Sequence, residues 1–215
     1  MKQCVLTGGG SKFGEHLTNS FLEQNYHVHL ITSNGNKWRD RENVTVIDVD
    51  WKNLDINGVR HLIPAADHID VILFNHNASA LNAKSFAVGA LQNPRDWQRS
   101  YFVACQFPYY FIHMLSKKLS NDSKVGWMLS ELIKHPTPDQ TGFADYIGNK
   151  FTNACIMKSF SDQHCSCFFG LHPDGGLAEA PLSKAADMIK LIDTYSIDSL
   201  NGKIFDSQGQ SLDIF

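Results

Sequence analysis

Cys4-Val5-Leu6-Thr7-Gly8-Gly9-Gly10-Ser11-Lys12-Phe13-Gly14 is an apolar run that enters a glycine-rich turn. Beyond the turn Phe13, Leu17 and Phe21 recur at helical spacing, so the stretch predicts a strand, a loop of phosphate size and a helix in succession. A helix that starts there points its free N–H groups and its positive dipole end into the loop, which favours the pyrophosphate of a dinucleotide. Glycines permit the tight turn and the close approach of backbone to such a ligand. An ordinary strand-to-helix turn has the same local chemistry, so a second feature has to separate the two readings.

That feature is Tyr146-Ile147-Gly148-Asn149-Lys150, which continues into Phe151-Thr152-Asn153-Ala154-Cys155. Ile147, Phe151, Ala154 and Cys155 fall at i, i+4, i+7 and i+8, and the spacing predicts an amphipathic helix with that stripe buried. Tyr146 and Lys150 share a different stripe, where a phenol and an ammonium can converge. A packed tyrosine beside a solvated lysine has the same spacing. Joined to the glycine loop, the pair becomes specific.

With both motifs in place, the chain resembles the short-chain dehydrogenase/reductase family along essentially its whole length. The family's Thr-Gly-x-x-x-Gly-x-Gly is matched at Thr7, Gly8 and Gly14, with Lys12 in the place of the middle glycine. Its Asn-Asn-Ala-Gly is similar to His76-Asn77-Ala78-Ser79, which follows the apolar run 71–74. Its catalytic serine resembles Ser130 behind Val125-Gly126-Trp127-Met128-Leu129, and its Tyr-x-x-x-Lys resembles Tyr146 and Lys150. The proline after strand six resembles Pro173, and the closing strand resembles 201–206. The resemblance implies an NAD(P)-binding Rossmann domain over residues 1–215. In it Ser130, Tyr146 and Lys150 are catalytic. Gly10, Ser11, Phe13, Thr32, Ser33, Asn34 and Asp48 join the matched motif residues around the dinucleotide.

A chain of 215 residues is long enough for a core that needs no disulfide staples. Its net charge of −3 gives no basic field for nucleic acid and no polybasic membrane patch. Strand one begins almost at Met1, with no secretory pattern ahead of it. The most apolar stretch, 101–115, is interrupted by Gln106, Pro108 and His113 and is too short to span a bilayer. A soluble, cytoplasmic protein is expected. The five cysteines lack paired spacing. Cys165-Ser166-Cys167 beside His164 is expected to hold buried free thiols in a strand and no metal, since no second ligand pair follows.

Alternation along the chain predicts strands near 3–7, 27–32, 44–48, 70–75, 124–129, 165–171 and 203–206. Helices are expected near 13–24, 55–63, 96–118, 146–161 and 183–194. The pattern implies an α/β fold: a doubly wound parallel sheet with helices on both faces and a ligand crevice at the carboxyl ends of its strands. Residues 33–42 are too few for a usual crossover helix. The segment 97–115 is apolar nearly all round, which suits either a deeply buried helix or one covered by a second copy in a homodimer or homotetramer.

Strand two runs into Thr32-Ser33-Asn34-Gly35 without the carboxylate that an NAD-binding chain carries there. Hydroxyls and an amide accommodate a 2′-phosphate, and Lys12, Lys37 and Arg39 are cations near enough in sequence to meet it. NADP is therefore expected, with NAD possible. Asp48 and Asp50 both suit the family's adenine-side aspartate.

Reduction of a carbonyl by a nicotinamide needs a proton donor at the oxygen that becomes negative. Tyr146 is expected to be that acid, with Lys150 lowering its pKa and Ser130 holding a small carbonyl or alcohol substrate. Two departures stand against the family pattern. Ser130 lies further from Tyr146 than usual, with Glu131 as its alternative. The family's catalytic asparagine, expected after Trp97-Gln98-Arg99, is Ala104, which can neither hold the helix bend nor order a relay water. A dinucleotide-binding relative without turnover is thus the alternative reading, and a pterin reductase a lesser one. Trp127, His135, Phe143 and His172 are candidate pocket residues.

Overall fold

All seven expected strands form in the computed structural model, which describes residues 1–76, 94–130, 133, 144–173 and 182–213. They are β1 (Lys2–Thr7), β2 (Tyr26–Thr32), β3 (Val44–Asp48), β4 (Val71–Phe74), β5 (Lys124–Met128), β6 (Cys167–His172) and β7 (Ile204–Asp206). A short β8 (Ser211–Leu212) that the sequence did not suggest closes the edge. The sheet order is β3-β2-β1-β4-β5-β6-β7-β8, and every pair is parallel except β7 with β8. The winding reverses between β1 and β4, whose carboxyl ends align in the register Thr7 to Phe74. A crevice opens at such a reversal.

The strands are buried on both faces, and successive residues alternate between two cores. Cys4, Leu6, Val28, Leu30, Leu73 and Phe169 face one layer, with Phe13, Leu17 and Phe21 of α1 (Lys12–Glu23) and Met188, Ile189 and Ile192 of α6 (Leu182–Thr194). Val5, Ile31, Ile72, Phe74, Val125 and Phe168 face the other. There they meet Phe107, Phe111, Ile112 and Leu115 of α4 (Phe107–Leu115) and Ala154, Met157 and Phe160 of α5 (Ala144–Gln163). Each of these large side chains contributes about 1.5–3 kcal/mol by leaving water. Trp127 is fully buried in the second core, where it packs against Phe74 and Phe168.

Four expectations need correction. The buried stripe of α5 is only partly the expected one: Ala154 is buried, with Asn149, Lys150, Asn153, Met157 and Phe160, while Ile147 is half-buried and Phe151 and Cys155 are exposed. Asn149 and Lys150 turn inward onto the Ser100 hydroxyl and the Met128 carbonyl, whereas the Asn153 Oδ1 is buried without a partner among the described residues. Cys165 is exposed and precedes β6, whereas Cys4, Cys105 and Cys167 are the buried thiols. The long helix expected over 96–118 is instead α3 (Pro94–Tyr101), a π-turn (Phe102–Gln106) and α4. Residues 197–200, with no helix assigned, form the short α7 (Ile197–Leu200), capped by Ser196. The connection from β2 to β3 is indeed trimmed, with only a single 3-10 turn at Asn36–Trp38.

Candidate active site

The loop after β1 is built from backbone. Gly8 adopts φ +75°, and a Cβ there would lie 2.8 Å from the backbone of His76 at the end of β4. A Cβ on Gly14 would collide with the Gly8 carbonyl, which fixes how closely α1 approaches the loop. Ser11 caps the helix by accepting from the Gly14 amide at 3.0 Å. Gly10 lies against Thr32 and Asn34 at the end of β2, where the Thr32 hydroxyl accepts from the Asn34 amide. The Asn75 side chain donates to the Gly8 carbonyl at 3.3 Å, and its own Oδ1 is buried without a partner among the described residues. Open backbone, a helix N-terminus and an orphaned acceptor make this a cradle that a dinucleotide fits.

A second group stands at the neighbouring strand ends. The Lys150 ammonium donates to the Met128 carbonyl at 2.5 Å and lies 5.6 Å from the centre of the Tyr146 ring. Ser130, just past β5, hydrogen-bonds the Tyr146 hydroxyl. Burial lowers the Lys150 pKa to about 8, partly opposed by the Cys105 sulfur. Burial also raises the Tyr146 phenol above its ordinary value, with the Ser130 bond pulling the other way. The Lys150 ammonium is spent on a carbonyl, and desolvation outweighs any lowering that it gives the Tyr146 phenol. His172 and Pro173 are buried at the end of β6.

No family model matches the chain, and no curated protein matches it. Solved structures do. A carbonyl reductase from Pseudomonas aeruginosa PAO1 superposes with a TM-score of 0.75 at 14% identity, over 99% of each chain. The same enzyme in complex with NADP gives 0.74 at 15%, again over 99% of each. A short chain dehydrogenase from Shigella flexneri gives 0.75 at 17%, over 96% of this chain and 91% of that one. The chain has the short-chain dehydrogenase/reductase fold.

Within the short-chain dehydrogenase/reductase fold, Ser130, Tyr146 and Lys150 lie together. Glycine loop, Asn75, Ser130 and Tyr146 all sit at the carboxyl edge of one sheet. Around strand two the outcome is different. Lys37 pairs with Glu15, and Arg39 pairs with Asp48 at 2.5 Å, so these two cations are already engaged. Lys12 remains exposed in the first turn of α1. Ser33 and Asn34 are exposed beside the buried Thr32, and Asp48 at the end of β3 stands in register with it. Asp50 closes a local turn on Lys52 and Asn53 instead. Asn77, Ala78, Ser79, Glu131, His135 and Phe143 lie outside the described residues.

Ala104 is buried inside the π-turn, so the helix opens here without an asparagine. Sequence reading missed what surrounds it. Asn149 donates from its amide to the Ser100 hydroxyl at 3.0 Å, and the Cys105 thiol donates to the Asn149 carbonyl at 3.4 Å. His76 joins the sheet to the turn. Pro108, inside an apolar helical run, was the available signal.

Proposed function

We propose that the chain is an NADP(H)-dependent oxidoreductase that transfers hydride between the nicotinamide and a small carbonyl or alcohol, with Tyr146 as acid and base. One observation carries this reading: the Tyr146 hydroxyl, bonded to Ser130 and flanked by Lys150, stands beside a backbone cradle on the same sheet edge. Bound there, the nicotinamide supplies the hydride. Thr7 to Gly14 would hold the diphosphate, and Thr32, Ser33, Asn34 and Lys12 the adenosine end. Those residues offer hydroxyls, an amide and a cation to a 2′-phosphate and no carboxylate to repel it.

In reduction Tyr146 gives its proton to the substrate oxygen as charge develops on it, and in oxidation it takes the proton back. Burial raises its pKa, so the proton stays on the phenol until charge develops on the substrate oxygen. Ser130 hydrogen-bonds the same oxygen and orients the substrate. Lys150, anchored on the Met128 carbonyl, keeps positive charge under the phenol and favours tyrosinate once the proton has left.

Replacement Tyr146→Phe should lower NADPH-dependent carbonyl reduction by a factor on the order of 10³, with the NADPH dissociation constant within threefold by calorimetry. Equal turnover in the variant would reject the assigned acid. Ala104 favours a second reading, a dinucleotide-binding protein without turnover. Tight NADPH binding with no consumption across aldehydes, ketones and pterins would select it. We also read the exposed faces of α3, α4 and α5, with Trp97, Tyr101, Tyr109 and Phe151, as a contact between copies of the chain.

A further inference from the structure

Helix hydrogen bonds at the π-turn leave the Val103 carbonyl without a backbone donor. The Phe107 amide, which in an α-helix would serve Val103, donates to Phe102 instead. The next amide along would belong to Pro108, which has none. Val103 is buried, so an unserved carbonyl there is costly. The donor comes from the sheet: the Nε2 of His76 lies 2.8 Å from the Val103 carbonyl oxygen.

The other side of the imidazole is fixed by counting protons. The Thr7 hydroxyl oxygen accepts from the Asn75 amide at 3.0 Å and from the His76 amide at 3.2 Å. Its own hydrogen is left for His76 Nδ1, 2.7 Å away. Nδ1 therefore accepts, and Nε2 carries the proton that Val103 receives. The ring is stacked on Trp51 at 4.8 Å and 14° and is edged by Phe74 and Phe107. Burial, with the charge of Lys150 adding to it, brings its pKa down to about 4, consistent with a neutral ring.

We propose that His76 is a positioning residue: a single imidazole ties the open turn at Val103–Ala104 to Thr7 of the glycine loop, holding from the sheet the helix bend that residue 104 does not hold itself. The bend lies over Asn149 and so over the helix turn that carries Lys150. Its effect on turnover rests on the oxidoreductase reading. Its effect on the turn does not.

The test uses the full chain, His76→Phe, which keeps the stacked ring and deletes both hydrogen bonds, and His76→Gln, which restores a donor toward Val103. In the unsubstituted protein at pH 7, long-range nitrogen–proton NMR should show His76 protonated at Nε2 and bare at Nδ1. In His76→Phe the amides of residues 104–107 should exchange about tenfold to a hundredfold faster, while those of β1 and β4 keep their rates, and His76→Gln should recover most of the protection. With NADPH and a reducible carbonyl, kcat should fall in His76→Phe while the NADPH KM stays within threefold. A ring protonated at Nδ1, unchanged exchange at 104–107, or a uniform rise across β1 and β4 would overturn the proposal. A protein that never consumes NADPH would instead overturn the oxidoreductase reading, and the ring and exchange results would still decide on His76.

Discussion

Gly14 and Gly148 sit in helices on the two sides of the site, yet they do opposite things. A methyl group on Gly14 meets the Gly8 carbonyl and the Gly9 backbone, so α1 or the loop has to move. Gly14→Ala should cost about 2 kcal/mol or more of stability in urea unfolding and weaken NADPH binding more than tenfold by calorimetry, because the amides of the loop shift with it. Gly148, inside the Tyr146–Lys150 turn of α5, is exposed, and a methyl group there would have nothing within 4 Å among the described residues. Gly148→Ala should therefore raise stability by about 0.5–1 kcal/mol and leave NADPH binding unchanged. A stabilised Gly14→Ala would mean the loop is not the rigid cradle described. At this scale the glycines, Tyr146, Lys150 and Ser130 were legible because their residue types and their order along the chain match a family pattern. His76 was not, since a histidine after a strand carries no mark of which two groups its nitrogens will meet.

Helix α5 shows what periodicity reads correctly and what it inverts. Its extent follows from the sequence, but its phase does not. The apolar positions Phe151 and Cys155 are outside, while Asn149 and Lys150 are inside, bonded to Ser100 and Met128. Polar residues can be buried where each has a partner, and apolar ones exposed where a second surface covers them. Phe151 on α5 and Tyr109 on α4 are 46% and 43% exposed, a large fraction for aromatics on the two helices that flank the site. A dimer seated there predicts that Tyr109→Glu with Phe151→Glu yields a monomer by light scattering at a concentration where the unsubstituted chain is dimeric, with unchanged far-ultraviolet dichroism. A monomeric starting protein, or a doubly substituted dimer, would refute that contact. The π-turn was hidden for a related reason. Val103, Ala104 and Cys105 are as apolar as any buried helix, and only the missing amide of Pro108 marks the break.

Across the molecule, the topology was legible because strands buried on both faces must be apolar throughout and must alternate with helices. The two-residue β8 is too short to leave such a pattern. The same double burial places histidines in the interior, and the titration of His29 and His76 contributes to how the fold responds to acid. His29 is held near pKa 4, by burial first and then by His27 and Lys118, and His76 is held near the same value. In the unfolded chain each returns to about 6.5. Between these values the unfolded state binds more protons than the folded one, so stability rises with pH through the window and is lost as pH falls from about 6.5 toward 4. The loss approaches about 3 kcal/mol per histidine near pH 4. It begins well above the range in which Asp193, whose carboxylate is held below its ordinary value by Lys2 and Tyr26 against the cost of burial, takes up a proton. Urea midpoints measured from pH 7 down to pH 4.5 should fall steeply, and His29→Gln should remove close to half of that fall while leaving the pH 7 value nearly in place. A midpoint that is level across the window would mean that the interior accommodates imidazolium, contrary to the burial of both rings.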